Sequence, residues 1–289
     1  MSYYPSEQQS YGRQRQPTRR RRGGGFSGLK LRLLIGGAIV LFSVVSYLMK
    51  GQVNPVTGEK QRVDMSVKDE IVMGLQAVGS MGQQSLNREA QAHVDRIGFQ
   101  LVGALQEKLR RENIKVPYPF EFHLLADQRQ VNAFALPGGQ IFVTEALYRQ
   151  LNDGELAGVL GHEIGHVIER HGSEHMATGN LFKGITGAAG VAGGDLSSSR
   201  AAGWITGLLD KKYGRKDEYE SDRWGVHLLI IAGYNPEHLI NVMDVLERSA
   251  GAGGTPEFLS THPRPGNRRE YIKQIIDKEY PRGVPSGLQ

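Results

Sequence analysis

The chain has 289 residues, of which 39% are hydrophobic and 22% are charged, which is ordinary for one large or two small globular domains. It contains no cysteine, so disulfides, thiolate metal ligands and a cysteine nucleophile are excluded. The net charge of +5 comes entirely from the first fifty residues, and the remaining body, which is slightly acidic, is no general binder of polyanions.

The N-terminal segment divides into a polar tail and an apolar run. Residues 1–28 predict a disordered basic tail, because they are rich in Gln, Ser, Gly and Arg and lack apolar periodicity. Residues 29–50 predict a transmembrane helix, since no charge occurs from residue 33 to residue 49 and about 20 residues span a bilayer. A cleaved signal peptide is the alternative, although no clear cleavage site follows.

Charge around the apolar run predicts how the chain lies in the membrane. The four arginines at 19–22 can bind nucleic acid, but positive charge beside a membrane segment more often orients that segment, and we prefer this reading. It predicts a single pass through the inner (cytoplasmic) membrane, with the N-terminus in the cytoplasm and the body in the periplasm. The mitochondrial inner membrane is the alternative, because acidic residues are scarce in the tail.

The next segments predict helices and then a small sheet. Residues 51–84 form a juxtamembrane connector in which Ser66 caps a helix over residues 67–78. A long amphipathic helix, capped by Ser85, is predicted over residues 85–113. Short strands with turn signals between them follow, over residues 120–125, 131–135 and 140–143.

Residues 162–166 read His-Glu-Ile-Gly-His and lie in a predicted helix with an apolar stripe. Histidines four residues apart share one helical face, so both imidazoles can reach one metal ion, and Glu163 can act as general base toward water. Gly161 and Gly165 each cost about 1 kcal/mol relative to alanine in a helix. They indicate that a neighbouring helix or the substrate approaches the backbone closely.

A metal site of this kind needs a third protein ligand. A histidine shortly downstream is excluded, because Glu169 and Gly172 stand where that pattern requires glycine and histidine. We expect His171 and His175 to be solvated near the helix end, where positive charge suits the helix dipole.

A later predicted helix supplies a better ligand. Glu218 and Asp222 lie four residues apart on one face, so Glu218 can bind the metal while Asp222 accepts a hydrogen bond from His162. Glu220 is the competing ligand, but it lies about 200° around the helix from Glu218.

Residues 172–215 between these helices are dense in Gly, Ala and Ser, and two interpretations remain. One is a pair of closely packed small-residue helices that contact lipid. The other is a mobile flap over the cleft, with its loop tip at residues 195–199.

Four ordered segments make the chain similar to the M48 family of zinc metallopeptidases. Two are the H-E-x-x-H segment and the E-x-x-x-D segment some fifty residues later. Residues 132–144 resemble the family's N-A-F-x-x-P-G-G segment, and residues 260–268 resemble its S-x-H-P-x-x-x-x-R segment. The resemblance covers roughly residues 70–275.

The resemblance implies an α+β, mostly helical fold. Its core is a zincin-like (gluzincin) metalloprotease domain with a small antiparallel sheet over residues 85–289, preceded by one transmembrane helix. It also implies one Zn²⁺ per chain, held by His162, His166 and Glu218, with Glu163 as the catalytic base.

The other two segments imply further site residues. His262 and Arg268 are expected to be catalytic and to stabilise the tetrahedral oxyanion, and His262 could instead bind zinc in a latent state. The resemblance also implies that an extended substrate adds to a strand edge formed by Asn132, Ala133, Phe134 and Ala135.

Together these features predict a membrane-anchored zinc endopeptidase that cleaves extended or misfolded envelope or membrane proteins in quality control. The expected partners are polypeptide substrates and the lipid bilayer, with no nucleic acid, and no oligomeric state is predicted. The alternative is a latent protease that acts mainly as a membrane-tethered chaperone or adaptor.

Overall fold

The computed structural model describes residues 25–193, 213–253, 256–262 and 267–289. These residues contain ten α-helices, a two-stranded sheet and a three-stranded sheet. Most of the predicted basic tail and the predicted loop tip at residues 195–199 lie outside the described residues.

Helix α1 spans Gly25–Met49 and has no acidic residue in its first turn and no basic residue in its last. Its part from Gly28 to Met49 is strongly apolar, and nearly all of its residues are exposed or half-buried. A helix this long and apolar can cross a membrane, and lipid would cover the surface that the protein leaves exposed. The predicted membrane segment therefore matches one helix of the structure.

The connector folds onto the body. Strands β1 (Gln52–Val53) and β2 (Lys60–Gln61) pair antiparallel, and helix α2 spans Val67–Ala77. Ser66 caps α2 by accepting a hydrogen bond from the Asp69 amide, and the Asp69 side chain accepts one in return from the Ser66 amide. The predicted cap is confirmed.

Helix α3 spans Arg88–Arg111, three residues later than predicted at its start. Asn87 caps it through the Ala90 amide, so the prediction of Ser85 as cap was wrong. The Ser85 hydroxyl instead lies 2.5 Å from Glu145, because the chain is still extended there and reaches across to the next segment.

The main sheet contains β3 (Glu121–Leu125), β4 (Ala133–Leu136) and β5 (Gln140–Thr144) in the order β3-β5-β4. Strand β5 pairs parallel with β3 and antiparallel with β4. The predicted sheet is small as expected, but it is mixed rather than antiparallel. All five residues of β5 are buried, so this strand takes the central position and leaves β4 at an edge.

The remaining helices surround a buried central one. Helix α5 is buried at every position from Leu156 to Ile168 and packs against α3, β4 and two later helices. Asn152 caps it with a reciprocal contact to Glu155. The helices of this part of the chain are α4 (Glu145–Tyr148), α5 (Asp153–Ile168), α6 (His171–Gly193), α7 (Arg215–Ala232), α8 (His238–Gly253), α9 (Glu257–Thr261) and α10 (Arg268–Glu279).

Helix α6 packs lengthwise against the membrane-spanning candidate α1. The Tyr47 and Thr178 hydroxyls are 3.5 Å apart, and a Cβ at Gly184 would collide with the Ser43 hydroxyl. For residues 171–193 these contacts favour the interpretation of a closely packed small-residue helix over that of a flap.

Candidate metal centre

Helices α5 and α7 meet at glycines. A Cβ at Gly165 would lie 2.9 Å from the Ser221 Cα, and a Cβ at Gly161 would lie 3.3 Å from the Gly225 Cα. Any side chain at Gly165 would hold the two backbones apart. The predicted close approach is confirmed, and the neighbour is helix α7.

This crossing gathers four potential ligands. His162, His166, Glu218 and His262 are all buried, and their ligand atoms lie within 4.8 Å of one another. The Nε2 atoms of His162 and His166 are 3.1 Å apart, and each lies 3.6 Å from a carboxylate oxygen of Glu218. The structure thus brings the three predicted ligands together and adds His262 at the end of α9, with its Nδ1 3.0 Å from Glu218 Oε1.

Several polar atoms around this cluster are buried without a hydrogen-bond partner. They are both carboxylate oxygens of Glu163 and Nε2 of His262. Leaving such atoms unpaired costs about 1–3 kcal/mol each. A cation among them would remove that cost, and imidazole nitrogens with a carboxylate oxygen form a donor set that suits Zn²⁺.

The charge of the cluster also fits a divalent cation. Glu163, Glu218 and Asp222 bring three carboxylates into the interior, and Arg268 brings one guanidinium. Buried charge is costly unless it is balanced. With all three carboxylates ionised and the imidazoles neutral, the group carries two net negative charges, which one divalent metal ion would balance.

Asp222 controls which nitrogen of His162 carries hydrogen. Its Oδ1 lies 3.0 Å from His162 Nδ1, and Arg268 contacts both its oxygens, at 2.8 and 2.6 Å. Burial opposes ionisation of Asp222, but Arg268 and His162 outweigh it and lower the pKa of the carboxyl to about 2. An ionised carboxylate only accepts, so His162 Nδ1 donates and the Nε2 lone pair points at the cluster.

Arg268 lies behind the carboxylates. Besides its two contacts with Asp222, its Nη1 atom is 2.7 Å from Glu218 Oε2. All three nitrogens of the guanidinium are thus directed at these two acids. The geometry suits charge balance and orientation of the carboxylates, and the contact of Arg268 with the oxyanion stays a prediction.

Glu163 and His262 face each other across the cluster. Glu163 Oε1 lies 3.6 Å from His262 Nε2, and burial raises the pKa of the Glu163 carboxyl. Burial lowers the pKa of His262, but Glu218 and Glu163 together raise it above its usual value. His262 Nδ1 is also 3.3 Å from His162 Nε2, a position compatible with both of its predicted roles.

The predicted substrate strand lies beside this centre. Strand β4 contacts α5 and has no strand on its other side among the described residues. A groove of about 810 Å³ runs past Asn132 and Phe134 and reaches Thr261, which precedes His262. The Asn132 Oδ1 atom is buried and has no partner, whereas Ala133 and Ala135 pack into the core.

The sequence predicted a solvated His171, and this prediction was wrong, because the side chain is 99% buried. Its Nδ1 lies 2.9 Å from His166 Nδ1, and its Nε2 lies 3.2 Å from Glu220. The physical reason is the turn at Arg170, whose φ of +58° ends α5 and directs the next residue back toward the metal helix. His175 is half-buried and pairs with Asp217 at 2.9 Å. The spacing of residues along the chain carries no signal of this turn.

Tyr213 is the other site residue that sequence reasoning missed. Its ring stacks on His166 at 4.0 Å between centroids, and its amide donates to the Thr261 carbonyl at 3.0 Å. It lies just before α7, outside every motif, so no sequence pattern marks it.

The chain is similar to a known family and to several curated proteins. The model of the family described as Peptidase family M48 matches residues 102–276. The β-barrel assembly-enhancing protease of Yersinia pestis is 31% identical over 253 residues, which cover 82% of this chain and 50% of that protein.

Two further relatives have similar levels of identity. The metalloprotease YcaL of Escherichia coli (strain K12) is 30% identical over 164 residues, covering 55% of this chain and 63% of the relative. The mitochondrial metalloendopeptidase OMA1 of Bos taurus is 28% identical over 265 residues, covering 86% of this chain and 50% of the relative. The chain spans about half the length of most of these curated relatives.

Proposed function

The chain belongs to peptidase family M48, and from that premise we propose that it is a membrane-anchored zinc metalloendopeptidase. One observation carries the proposal: the ligand atoms of His162, His166 and Glu218 converge in a buried cluster beside the unpaired carboxylate of Glu163. Two imidazoles, one carboxylate and an adjacent base are the parts that metal-assisted hydrolysis of a peptide bond needs.

His162, His166 and Glu218 would hold the metal. A bound Zn²⁺ would supply Lewis acidity, which polarises a carbonyl and lowers the pKa of water so that it can lose a proton near neutral pH. Glu163 accepts the proton of the attacking water and delivers it to the leaving amine. Asp222 holds His162 with its Nε2 lone pair toward the cluster, and Arg268 keeps the neighbouring carboxylates in place and balances their charge.

The edge strand β4 would hold the substrate. An extended peptide that adds to this edge is bound through backbone hydrogen bonds, which barely depend on its sequence. The groove beside β4, with the unpaired Asn132 Oδ1 in its wall, supports this placement. Such binding suits extended or misfolded proteins, so quality control of envelope or membrane proteins is the role we propose.

The location we propose is the inner membrane, with the body in the periplasm. The apolar helix α1 and the basic residues before it support that orientation. One relative is named for β-barrel assembly and another is mitochondrial, so the mitochondrial inner membrane is the alternative.

A second function, that of a latent protease acting as a chaperone or adaptor, is favoured by His262. Its ring lies inside the cluster, 3.0 Å from Glu218 and 3.3 Å from His162. A fourth protein donor at the metal would close the position that an open catalytic site keeps for water.

Replacing the proposed base separates the two functions. The purified full chain, supplied with Zn²⁺, should cleave an unfolded protein, and Glu163→Gln should lower that rate by about 10²–10⁴-fold because proton transfer is lost. Glu89→Gln, at an exposed position on α3, is the matched control and should cleave normally. Equal cleavage by Glu163→Gln would refute the enzyme proposal, and full function of that variant in cells would support the adaptor.

A further inference from the structure

The two ring nitrogens of His166 have different surroundings. Nε2 faces the cluster, 3.1 Å from His162 Nε2. Nδ1 faces away from it and lies 2.9 Å from Nδ1 of His171. The other nitrogen of His171, Nε2, lies 3.2 Å from Glu220 Oε2. A continuous chain of polar contacts therefore runs from Glu220 through His171 to His166.

Hydrogen-bond chemistry gives this chain a direction. The Glu220 carboxylate accepts, so His171 Nε2 must carry the hydrogen and donate it. A neutral His171 then has its lone pair on Nδ1 and accepts from His166 Nδ1. His166 Nε2 is left with a lone pair that points at the cluster, as a metal ligand requires.

We propose that His171 and Glu220 are positioning residues that fix the ring orientation and tautomer of His166 for metal binding. The inference rests on the proposed metal site. The ring of His162 is held in the same way by a direct hydrogen bond to Asp222 on α7. Glu220 lies on a different face of α7 from Glu218 and Asp222, and the His171 ring spans the gap that separates it from His166.

A second metal-binding site is an alternative explanation for the contacts around His171. The ligand atoms of His171, Asp217 and Glu220 also lie within 4.8 Å of one another. These side chains already have other partners, however. Glu220 pairs with Lys216 at 3.1 Å, and Asp217 accepts from His175 and from the Gly214 amide, both at 2.9 Å. None of these three side chains has a buried polar atom without a hydrogen-bond partner, unlike the central cluster. Hydrogen bonds therefore explain the contacts in this group without a metal ion.

The test measures metal binding independently of catalysis. The full chain in detergent is stripped of metal, its Zn²⁺ affinity is measured by competition with a chromogenic chelator, and the absorption spectrum of the Co²⁺ form is recorded. His171→Phe fills the space without hydrogen-bonding, and we expect it to weaken Zn²⁺ binding by about 10–100-fold and to alter the Co²⁺ spectrum.

Further variants distinguish loss of the positioning hydrogen bonds from a general disruption of the fold. His171→Gln can accept with its amide oxygen and donate with its amide nitrogen, so its affinity should lie closer to wild type than that of His171→Phe. Glu220→Ala, at the edge of the buried region, should weaken binding in the same direction and add little in the His171→Phe background, because both residues act through one chain of contacts. His93→Phe on α3 is the matched control, since its ring contacts Tyr148 and Asp153 away from the cluster, and it should bind Zn²⁺ like wild type.

Measuring Zn²⁺ binding by the wild-type protein distinguishes failure of the proposed metal site from failure of the positioning role. If wild type binds no stoichiometric Zn²⁺, the proposed function itself is refuted. If wild type binds Zn²⁺ and either His171→Phe or Glu220→Ala retains its affinity and Co²⁺ spectrum, the positioning role is refuted while the metal site stands. Should His171→Phe fail to fold, the Gln and Glu220 variants decide in the same way.

Discussion

At the residue scale, a missing side chain at Gly165 lets the two metal-binding helices meet. The Cβ of any other residue would lie 2.9 Å from both the Ser221 Cα and the Trp224 Cβ. Ser221 lies between Glu218 and Asp222, so a shift of this backbone would move a proposed ligand and its neighbour together. The glycine costs intrinsic helix stability, and the close contact between the helices offsets that loss.

Substituting this glycine should therefore destabilise the protein. We expect Gly165→Ala to lower the free energy of unfolding by about 1–3 kcal/mol through overpacking. Gly103→Ala on α3 is the matched control, since a Cβ there meets nothing within 4 Å, and it should be neutral or stabilise by up to about 1 kcal/mol. Thermal unfolding of both metal-free proteins in detergent measures the difference. Equal stability of the two variants would contradict the packing argument.

At the element scale, the connector is part of the body that holds the metal centre. Arg170, at the end of the metal helix, is buried and lies 2.7 Å from Glu70 of α2. The Asn54 side chain donates to the Ile168 carbonyl at 2.8 Å, so the β1–β2 hairpin also contacts this helix end. These contacts hold the turn at Arg170 from which His171 is directed toward His166.

Breaking the buried ion pair should be costly. Glu70→Ala leaves the Arg170 guanidinium buried without its carboxylate partner, and we expect a loss of about 3–5 kcal/mol in unfolding free energy. The control is Glu112→Ala, which removes the exposed pair with Lys108 and should cost less than about 1 kcal/mol. Chemical denaturation of both variants measures the two costs. A small loss for Glu70→Ala would show that its ion pair with Arg170 does not stabilise the helix end.

At the scale of the whole molecule, one helix joins the membrane-spanning candidate to the metal centre. Helix α6 begins at His171, beside His166, and runs along α1 past Thr178 and Gly184. A change in the position of α1 relative to the body would therefore act on the same helix that carries a proposed positioning residue.

Cross-linking can test the packing of these two helices. A Cβ at Gly184 would lie 3.0 Å from the Ser43 Cβ, and a small shift brings such a pair to the distance of about 3.5–4.5 Å found in disulfides. The chain has no cysteine of its own, so Ser43→Cys with Gly184→Cys should give one disulfide on oxidation, detected as a linked peptide by mass spectrometry.

The control pair uses a neighbouring position that faces elsewhere. Phe182 lies on the same helix but is 60% exposed, so Ser43→Cys with Phe182→Cys should remain largely unlinked. Equal linking of both pairs, or linking of neither, would contradict the observed contact between α1 and α6.

Much of the candidate site could be predicted from the sequence because its ligand pattern is local. His162 and His166 share a helical face by spacing alone, as do Glu218 and Asp222, and the structure brings the two pairs together. The apolar helix α1 and the cap at Ser66 follow from equally local features, namely length, composition and one capping residue. The sequence by itself therefore determined the family, the helical character of the chain and the residues that form the cluster.

The tertiary structure decided what depends on residues far apart in the chain. The place of His171 follows from the left-handed turn at Arg170, which is held by contacts with Glu70 a hundred residues away, and no helical period encodes it. The central position of β5, with a parallel and an antiparallel neighbour, and the stacking of Tyr213 on His166 follow from burial in the assembled core. Sequence periodicity shows which face of a helix or strand is apolar. Which other element packs against that face depends on the whole fold.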